Sequence, residues 1–206
     1  MKRLAVAVVA LAVFALLVHE VLAQGVLTAF DTEVTLYFVA HRTAWLTSLS
    51  LALATLHQTV VVLAATALVA AALAWRRRGY WALLLLAIPT GMLANNGVKR
   101  LIGRTRPALE DPLVRLDTLS FPSGHEIAAT LFYGALCLVV LAHAWRPPVR
   151  FAAAAFALAM IALVALSRVY LGVHYLSDVL AATCLGVAWL ALWMEGLEQW
   201  QRRRSR

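Results

Sequence analysis

Eight residues in three short runs carry most of the chemical potential of this chain. Lys99 and Arg106 stand seven apart, with Pro107 after them. Ser123, Gly124 and His125 follow Pro122. Arg168 follows Ser167, with His174 and Asp178 downstream. Lys99, Arg106 and Arg168 are long cationic donors, and the two arginines can each grip a pair of anionic oxygens. Ser123 and Gly124 can place backbone N–H groups close to an anion, because glycine has no side chain to keep it away. His174 and Asp178 lie at i and i+4, on one face of a helix, so the carboxylate can hold one ring nitrogen as a donor and leave the other free to attack. His125 can then donate a proton to a departing oxygen. Phosphoryl transfer consists largely of positioning and charge neutralisation, and this set suits a phosphate ester, with enough cations to need no metal ion for charge.

The elements that must position these residues are hydrophobic. Of 206 residues, 63% are hydrophobic and 14% charged, where a soluble domain carries about 25% charged. The apolar residues fall in six blocks long enough to span a bilayer: Leu4–Ala23, Gln58–Trp75, Tyr80–Val98, Ile127–Trp145, Phe151–Leu166 and Val173–Met194, the fifth with room to extend to Tyr170. The expected fold is all-α, a single polytopic membrane domain of six transmembrane helices. It divides into a first membrane helix over residues 1–24, an outer interfacial segment over 25–57, the motif-bearing helices over 58–195 and a basic tail over 196–206. A competing reading makes the first block a cleaved signal peptide, with Val21-Leu22-Ala23 as its small-residue end. Within the outer segment, Phe30, Val34, Tyr37, Phe38, Trp45, Leu46 and Leu49 recur at helical intervals. They predict an interfacial helix with Tyr37 and Trp45 at headgroup depth; alternatively, Ala44–Leu56 extends the second span outward.

Basic residues set the orientation. Lys2 and Arg3, Arg76 to Arg78, Arg146 with Arg150, and Arg202, Arg203, Arg204 and Arg206 all fall on one side by alternation, which the positive-inside rule makes cytoplasmic. The net charge of +8 therefore reports topology, and its division among short membrane-flanking turns argues against a nucleic-acid surface. The chain reads as an integral protein of a plasma membrane, the inner membrane of a bacterium, with both termini cytoplasmic. The three chemical runs all fall on the other, periplasmic or exterior, side. Arg42, Lys99, Arg100, Arg104, Arg106, Arg115 and Arg168 lie there against the usual bias, and an anionic ligand is the simplest reason. Cys137 and Cys184 sit inside spans and read as small buried residues, neither a disulfide nor a metal pair.

Two of the runs also have a plain structural meaning, and the His174–Asp178 pair could be only a surface contact. Lys99 to Pro107 could be a solvated juxtamembrane stretch. Ser123 with Glu126 fits a capping box, a role compatible with anion binding at the same helix end. Asn95 and Asn96 lie one turn before Lys99 and are candidates either to orient it or to pack between helices.

Taken together, the three runs resemble the signature motifs of the type 2 phosphatidic acid phosphatases, also called PAP2 or lipid phosphate phosphatases, a family that includes soluble vanadium haloperoxidases. The resemblance covers the second span to the sixth. It implies a six-helix membrane fold with an outward-facing, metal-independent site. It implies that His174 becomes a phosphohistidine, that His125 protonates the leaving group and that Asp178 supports His174. It assigns phosphate binding to Lys99, Arg106, Ser123, Gly124 and Arg168. Glu126 is acidic where a small residue is expected, and could act on His125 or only cap the helix. The function expected is a lipid phosphate phosphatase with no cofactor, its partners the bilayer and a lipid substrate: undecaprenyl diphosphate, phosphatidic acid or phosphatidylglycerophosphate. A lipid phosphotransferase with the same intermediate and a non-catalytic lipid-binding or transport protein are the alternatives. A vanadium oxidase is disfavoured by the short, membrane-embedded chain.

The orientation is testable by labelling. In a background lacking Cys137 and Cys184, an impermeant thiol reagent applied to intact cells with a permeabilised outer envelope should modify Arg115→Cys and spare Arg204→Cys. Modification of position 204 alone would reverse the topology.

Overall fold

Residues 2–204 are described by the structure, a computed structural model, and among them every regular element is a helix. In order these are α1 (Lys2–Leu22), α2 (Val26–Ala40), α3 (Ala44–Leu56), α4 (Thr59–Trp75), α5 (Gly79–Leu84), α6 (Ala87–Ile102), α7 (Gly124–His143), α8 (Pro147–Tyr170) and α9 (Leu176–Arg204). Five stretches are long and apolar enough to cross a membrane: α1, 81–102, α7, α8 and α9. A sixth is the pair α3 and α4, bent by 55°.

The expected outer segment is thus two helices. α2 ends at Ala40, and Thr43 caps α3 by accepting the Leu46 N–H. α3 then runs into α4 through a bend at His57, whose ring is buried and pairs with the Tyr133 hydroxyl at 2.9 Å. The third span is broken after Leu84 and resumes at Ala87. It reaches Ile102, so Lys99 lies in its last turn rather than in the loop. Gly103, at φ 69°, ends it with a left-handed cap, and Pro107 plays no part in stopping it. The fifth span extends to Tyr170 and carries Ser167 and Arg168 within the helix. The sixth starts at Leu176, leaving His174 in the turn before it. It continues through the expected tail as far as Arg204, held there by an Arg3–Glu198 ion pair and by Arg204 stacked on Trp200. Arg206 lies outside the described residues.

α9 is the central element, touching α1, α2, α5, α6, α7 and α8. The main core forms where Leu84, Ile88, Ile127, Leu131, Ala182 and Leu185 meet. With lipid outside, such packing depends on small residues that let helices approach closely. A Cβ on Gly186 of α9 would stand 2.7 Å from the Thr130 methyl of α7, and one on Gly91 of α6 would meet Leu131 at 2.6 Å. The basic turns gather at one end. There the Arg3–Glu198 pair joins α1 to α9, the Trp193 indole donates to the Leu83 carbonyl, and Trp81 packs on His143. At the opposite end α2 lies against α1, α8 and α9. Arg42, just beyond α2, donates to the Leu171 carbonyl at 3.0 Å, and the Tyr170 hydroxyl bonds to the backbone of Thr43.

Gly186→Val should therefore lower the thermal midpoint in detergent, through overpacking worth about 1–3 kcal/mol. Gly196→Ala, where a Cβ meets nothing within 4 Å, should raise it slightly through helix propensity. Equal midpoints for Gly186→Val and the parent would contradict the close α7–α9 contact.

Candidate active site

The loop from Gly103 to Ser123 folds back between the ends of α6, α7 and α9 because its backbone carbonyls are taken by cations. Lys99 Nζ donates to the Leu119 and Ser120 carbonyls at 2.7 and 3.2 Å. Arg106 donates to the Thr118 carbonyl and hydroxyl at 2.6 and 2.8 Å, and to the Val173 carbonyl at 2.5 Å. These bonds bring Lys99 and Arg106 to His174, although 68 residues separate Arg106 from it.

Asp178 is fully buried at the start of α9. Its Oδ2 accepts from His174 Nδ1 at 3.3 Å, from the Tyr175 N–H at 2.9 Å and from the Ser120 hydroxyl. Its Oδ1 accepts from Arg104 at 2.7 Å. The other nitrogen of His174, Nε2, faces an Arg106 N–H at 3.2 Å. A nitrogen facing a donor must be the acceptor, so the proton of neutral His174 belongs on Nδ1 and the lone pair on Nε2. Burial pushes the His174 pKa down to about 4; Asp178 opposes that shift, and Arg106 and Lys99 add to it. A neutral imidazole with its Nε2 lone pair among cations has the protonation state that a nucleophile needs.

Ser123 caps α7 by accepting the Glu126 N–H at 3.4 Å, and its own N–H donates to the Asp178 carbonyl at 3.1 Å. The first backbone donors of α7, at Gly124 and His125, have no place in the intrahelical ladder. A Cβ on Gly124 would meet nothing within 4 Å, so the space at this helix end is open. His125, half-buried, lies in the electrostatic reach of Arg168 and His174 and beside the Ala54 backbone of α3. Arg168 is 1% exposed, and its Nε and Nη1 have no hydrogen-bond partner. A buried guanidinium with free donors is costly unless an anion completes it. His174, Lys99, Arg106, the α7 N-terminus, His125 and Arg168 thus surround one locus.

Three residues singled out in the sequence behave otherwise. Glu126 caps with its backbone only. Its carboxyl turns away from the cap, accepting from Thr183 of α9 at 2.9 Å and from Thr130 of its own helix at 3.3 Å. The reciprocal half of a capping box is missing because the Ser123 N–H is already given to α9. Asn95 is buried with neither amide atom paired, and Asn96 is exposed. Neither bonds to Lys99, whose ammonium takes carbonyls instead; both line a cavity of about 280 Å³ with Thr59, Met92 and Gly124. Conversely, Arg104 and Ser120 bond to Asp178, Asp31 and Ser177 bond to Arg104, and none of the four is marked by the motifs. Asp31, fully buried on α2, accepts the Ser177 N–H at 2.8 Å and Arg104 at 2.8 Å.

Residues 79–202 match the PAP2 superfamily. Phosphatidylglycerophosphatase B of Bacillus subtilis (strain 168) is 29% identical over 185 residues, spanning 87% of this chain and 89% of the relative. The crystal structure of a transmembrane PAP2 type phosphatidylglycerolphosphate phosphatase from Bacillus subtilis superposes with a TM-score of 0.85 at 27% identity, covering 94% of this chain and 96% of the other. Aquifex aeolicus LpxE shares the fold, with a TM-score of 0.64 at 23% identity over 79% of this chain and 93% of its own.

The charge state of His174 is open to measurement. In protein labelled with nitrogen-15 at histidine, and assigned by the signals lost in His174→Gln, the ring should be the neutral Nδ1–H tautomer at pH 6 and titrate near pH 4. The depressed value also has a sign for stability. The unfolded chain takes up this proton at about pH 6.5, the folded chain only near 4, so the folded state loses stability as pH falls through that window. A titration midpoint at or above 6.5 would contradict the buried, cation-flanked setting.

Proposed function

The chain belongs to the PAP2 superfamily, and from that premise we propose that it is an integral-membrane lipid phosphatase that cleaves a terminal phosphate through a phosphohistidine on His174. The observation that carries the reading is Arg168, a buried guanidinium whose Nε and Nη1 lack partners, close to both His125 and Arg106. A phosphoryl group held by Arg168, Arg106, Lys99 and the N–H groups at Gly124 and His125 would supply the missing acceptors.

In this mechanism the Nε2 lone pair of His174 forms the N–P bond as the ester P–O bond breaks. His125, protonated when substrate binds, gives its proton to the leaving oxygen. Asp178 stabilises the Nδ1–H as the imidazole becomes cationic. Water, deprotonated by the now neutral His125, then attacks phosphorus, releases inorganic phosphate and returns both histidines to their starting states. The cations supply the charge stabilisation, so the activity is proposed to be metal-independent. The positive-inside bias of the basic turns supports a site on the periplasmic or exterior face with both termini cytoplasmic. Among the three lipid substrates expected from sequence, the named activity of the Bacillus relative favours phosphatidylglycerophosphate.

Purified protein in mixed micelles should release phosphate from phosphatidylglycerophosphate faster than from phosphatidic acid or undecaprenyl diphosphate, with the rate unchanged by EDTA. Strict Mg²⁺ dependence, or no release from any of the three, would overturn the proposal.

The acid role of His125 predicts a leaving-group effect. His125→Ala should lose about 10²–10⁴-fold on a lipid alkoxide leaving group and much less on p-nitrophenyl phosphate, whose oxyanion needs little protonation. Equal losses on both esters would remove His125 from proton transfer.

A further inference from the structure

Asp31 has no place in the motifs, yet it is one of the most completely buried groups in the protein. It sits on α2, whose neighbouring Phe30, Leu36 and Tyr37 are exposed. A carboxylate on such a helix is expensive to bury and needs partners that repay desolvation. It has them. Its Oδ1 accepts the Ser177 N–H at 2.8 Å. Its Oδ2 accepts from Arg104 at 2.8 Å and from the Ser177 hydroxyl. Arg104 spends its second nitrogen on Asp178 Oδ1 at 2.7 Å and on the Ser177 hydroxyl at 2.7 Å, while its guanidinium lies 4.1 Å over the Tyr175 ring. One cation therefore bridges two buried carboxylates, and the second of them holds His174.

We propose that Asp31 and Arg104 are positioning residues for the nucleophile: Asp31 holds Arg104 through one direct ion pair and through the Ser177 hydroxyl that both contact, and shares its charge, so that Asp178 is oriented toward His174 without being neutralised. This rests on the reading of His174 as nucleophile and extends it to an outer helix. The charge arithmetic is specific. With both present, Arg104 is divided between two carboxylates, and Asp178 keeps enough negative charge to hold the Nδ1–H and to stabilise the imidazolium formed on attack. With Asp31 neutral, Arg104 falls to Asp178 alone and weakens its hold on His174. With Arg104 neutral, two carboxylates face each other across Ser177 with no cation between them. Removing both charges restores the balance, though not the geometry.

The test is a double-mutant cycle with Asp31→Asn, Arg104→Gln and the pair, followed by phosphate release from phosphatidylglycerophosphate and by the nitrogen-15 signals of His174. Asp31→Asn should lower kcat by roughly 10²-fold through misplacement of the nucleophile, leave KM within about twofold because it touches no phosphate ligand, and reduce the Nδ1–H tautomer of His174. Arg104→Gln should be the more damaging single change, and the double variant should recover roughly tenfold in kcat relative to it. An unchanged tautomer with kcat falling only as far as the folded fraction falls, or additive losses in the pair, would reduce both residues to structural roles and overturn the proposal. Should Asp31→Asn yield no folded protein, Arg104→Lys decides by the same readouts, since lysine keeps the charge but cannot span both carboxylates. If the parent protein releases no phosphate from any lipid, the functional reading fails separately, and the tautomer measurement still decides the positioning claim.

Discussion

The carboxylate of Asp178 is the point on which the site depends. Taking a carboxylate out of water costs several kcal/mol, and only a full set of donors offsets it. Here those donors come from distant parts of the chain: Arg104 beyond α6, Ser120 before α7, His174 and Tyr175 in the turn before α9. The Asp178 carbonyl adds Ser123, and with it the start of α7. The cost of burying one charge thereby enforces the approach of the three motif-bearing segments. Removing any donor leaves a buried charge short of a partner, so the site and the packing at this end of the bundle stand or fall together.

Around that anion the cations are arranged in two classes. Arg104 is paired with the carboxylates of Asp31 and Asp178 and has no charge left for a ligand. Lys99 and Arg106 are held by backbone carbonyls, which fix their positions while leaving their charge uncompensated. Arg168 has a buried guanidinium with two unpaired nitrogens. The protein thus shares one cation between the two buried carboxylates behind His174 and leaves open the charge that would meet phosphate. Preorganised, partly desolvated charge of this kind acts on a developing anion without further reorganisation. His174 itself stays neutral because burial and the neighbouring cations outweigh Asp178.

Much of this was legible in the sequence. Hydropathy located the crossing helices, and alternation put all three chemical runs at one end, where the structure brings them together. The His174–Asp178 contact was expected from i, i+4 spacing on a helix face; it is present, but His174 reaches Asp178 from the turn before α9. What was not legible is informative. The 55° bend between α3 and α4 falls inside an apolar stretch with no proline or glycine at the bend, where the His57–Tyr133 contact is tertiary. Glu126 looked like half of a capping box, but two threonines, one of them on α9, drew its carboxyl away. Asp31 could have been suspected, because a lone carboxylate in an apolar helical pattern must find a partner. Its partner Arg104 lies 73 residues away, and no local pattern connects them.

The proposed chemistry rests on attack of His174 Nε2 on phosphorus. The most direct measurement is a rapid acid-free quench of the protein turning over a phosphorus-32-labelled lipid phosphate, followed by mass-spectrometric mapping of the modified peptide. The account predicts an acid-labile, base-stable phosphoryl group on His174, formed more slowly in Asp178→Asn. A phosphoryl group on His125, or turnover with none on His174, would contradict it.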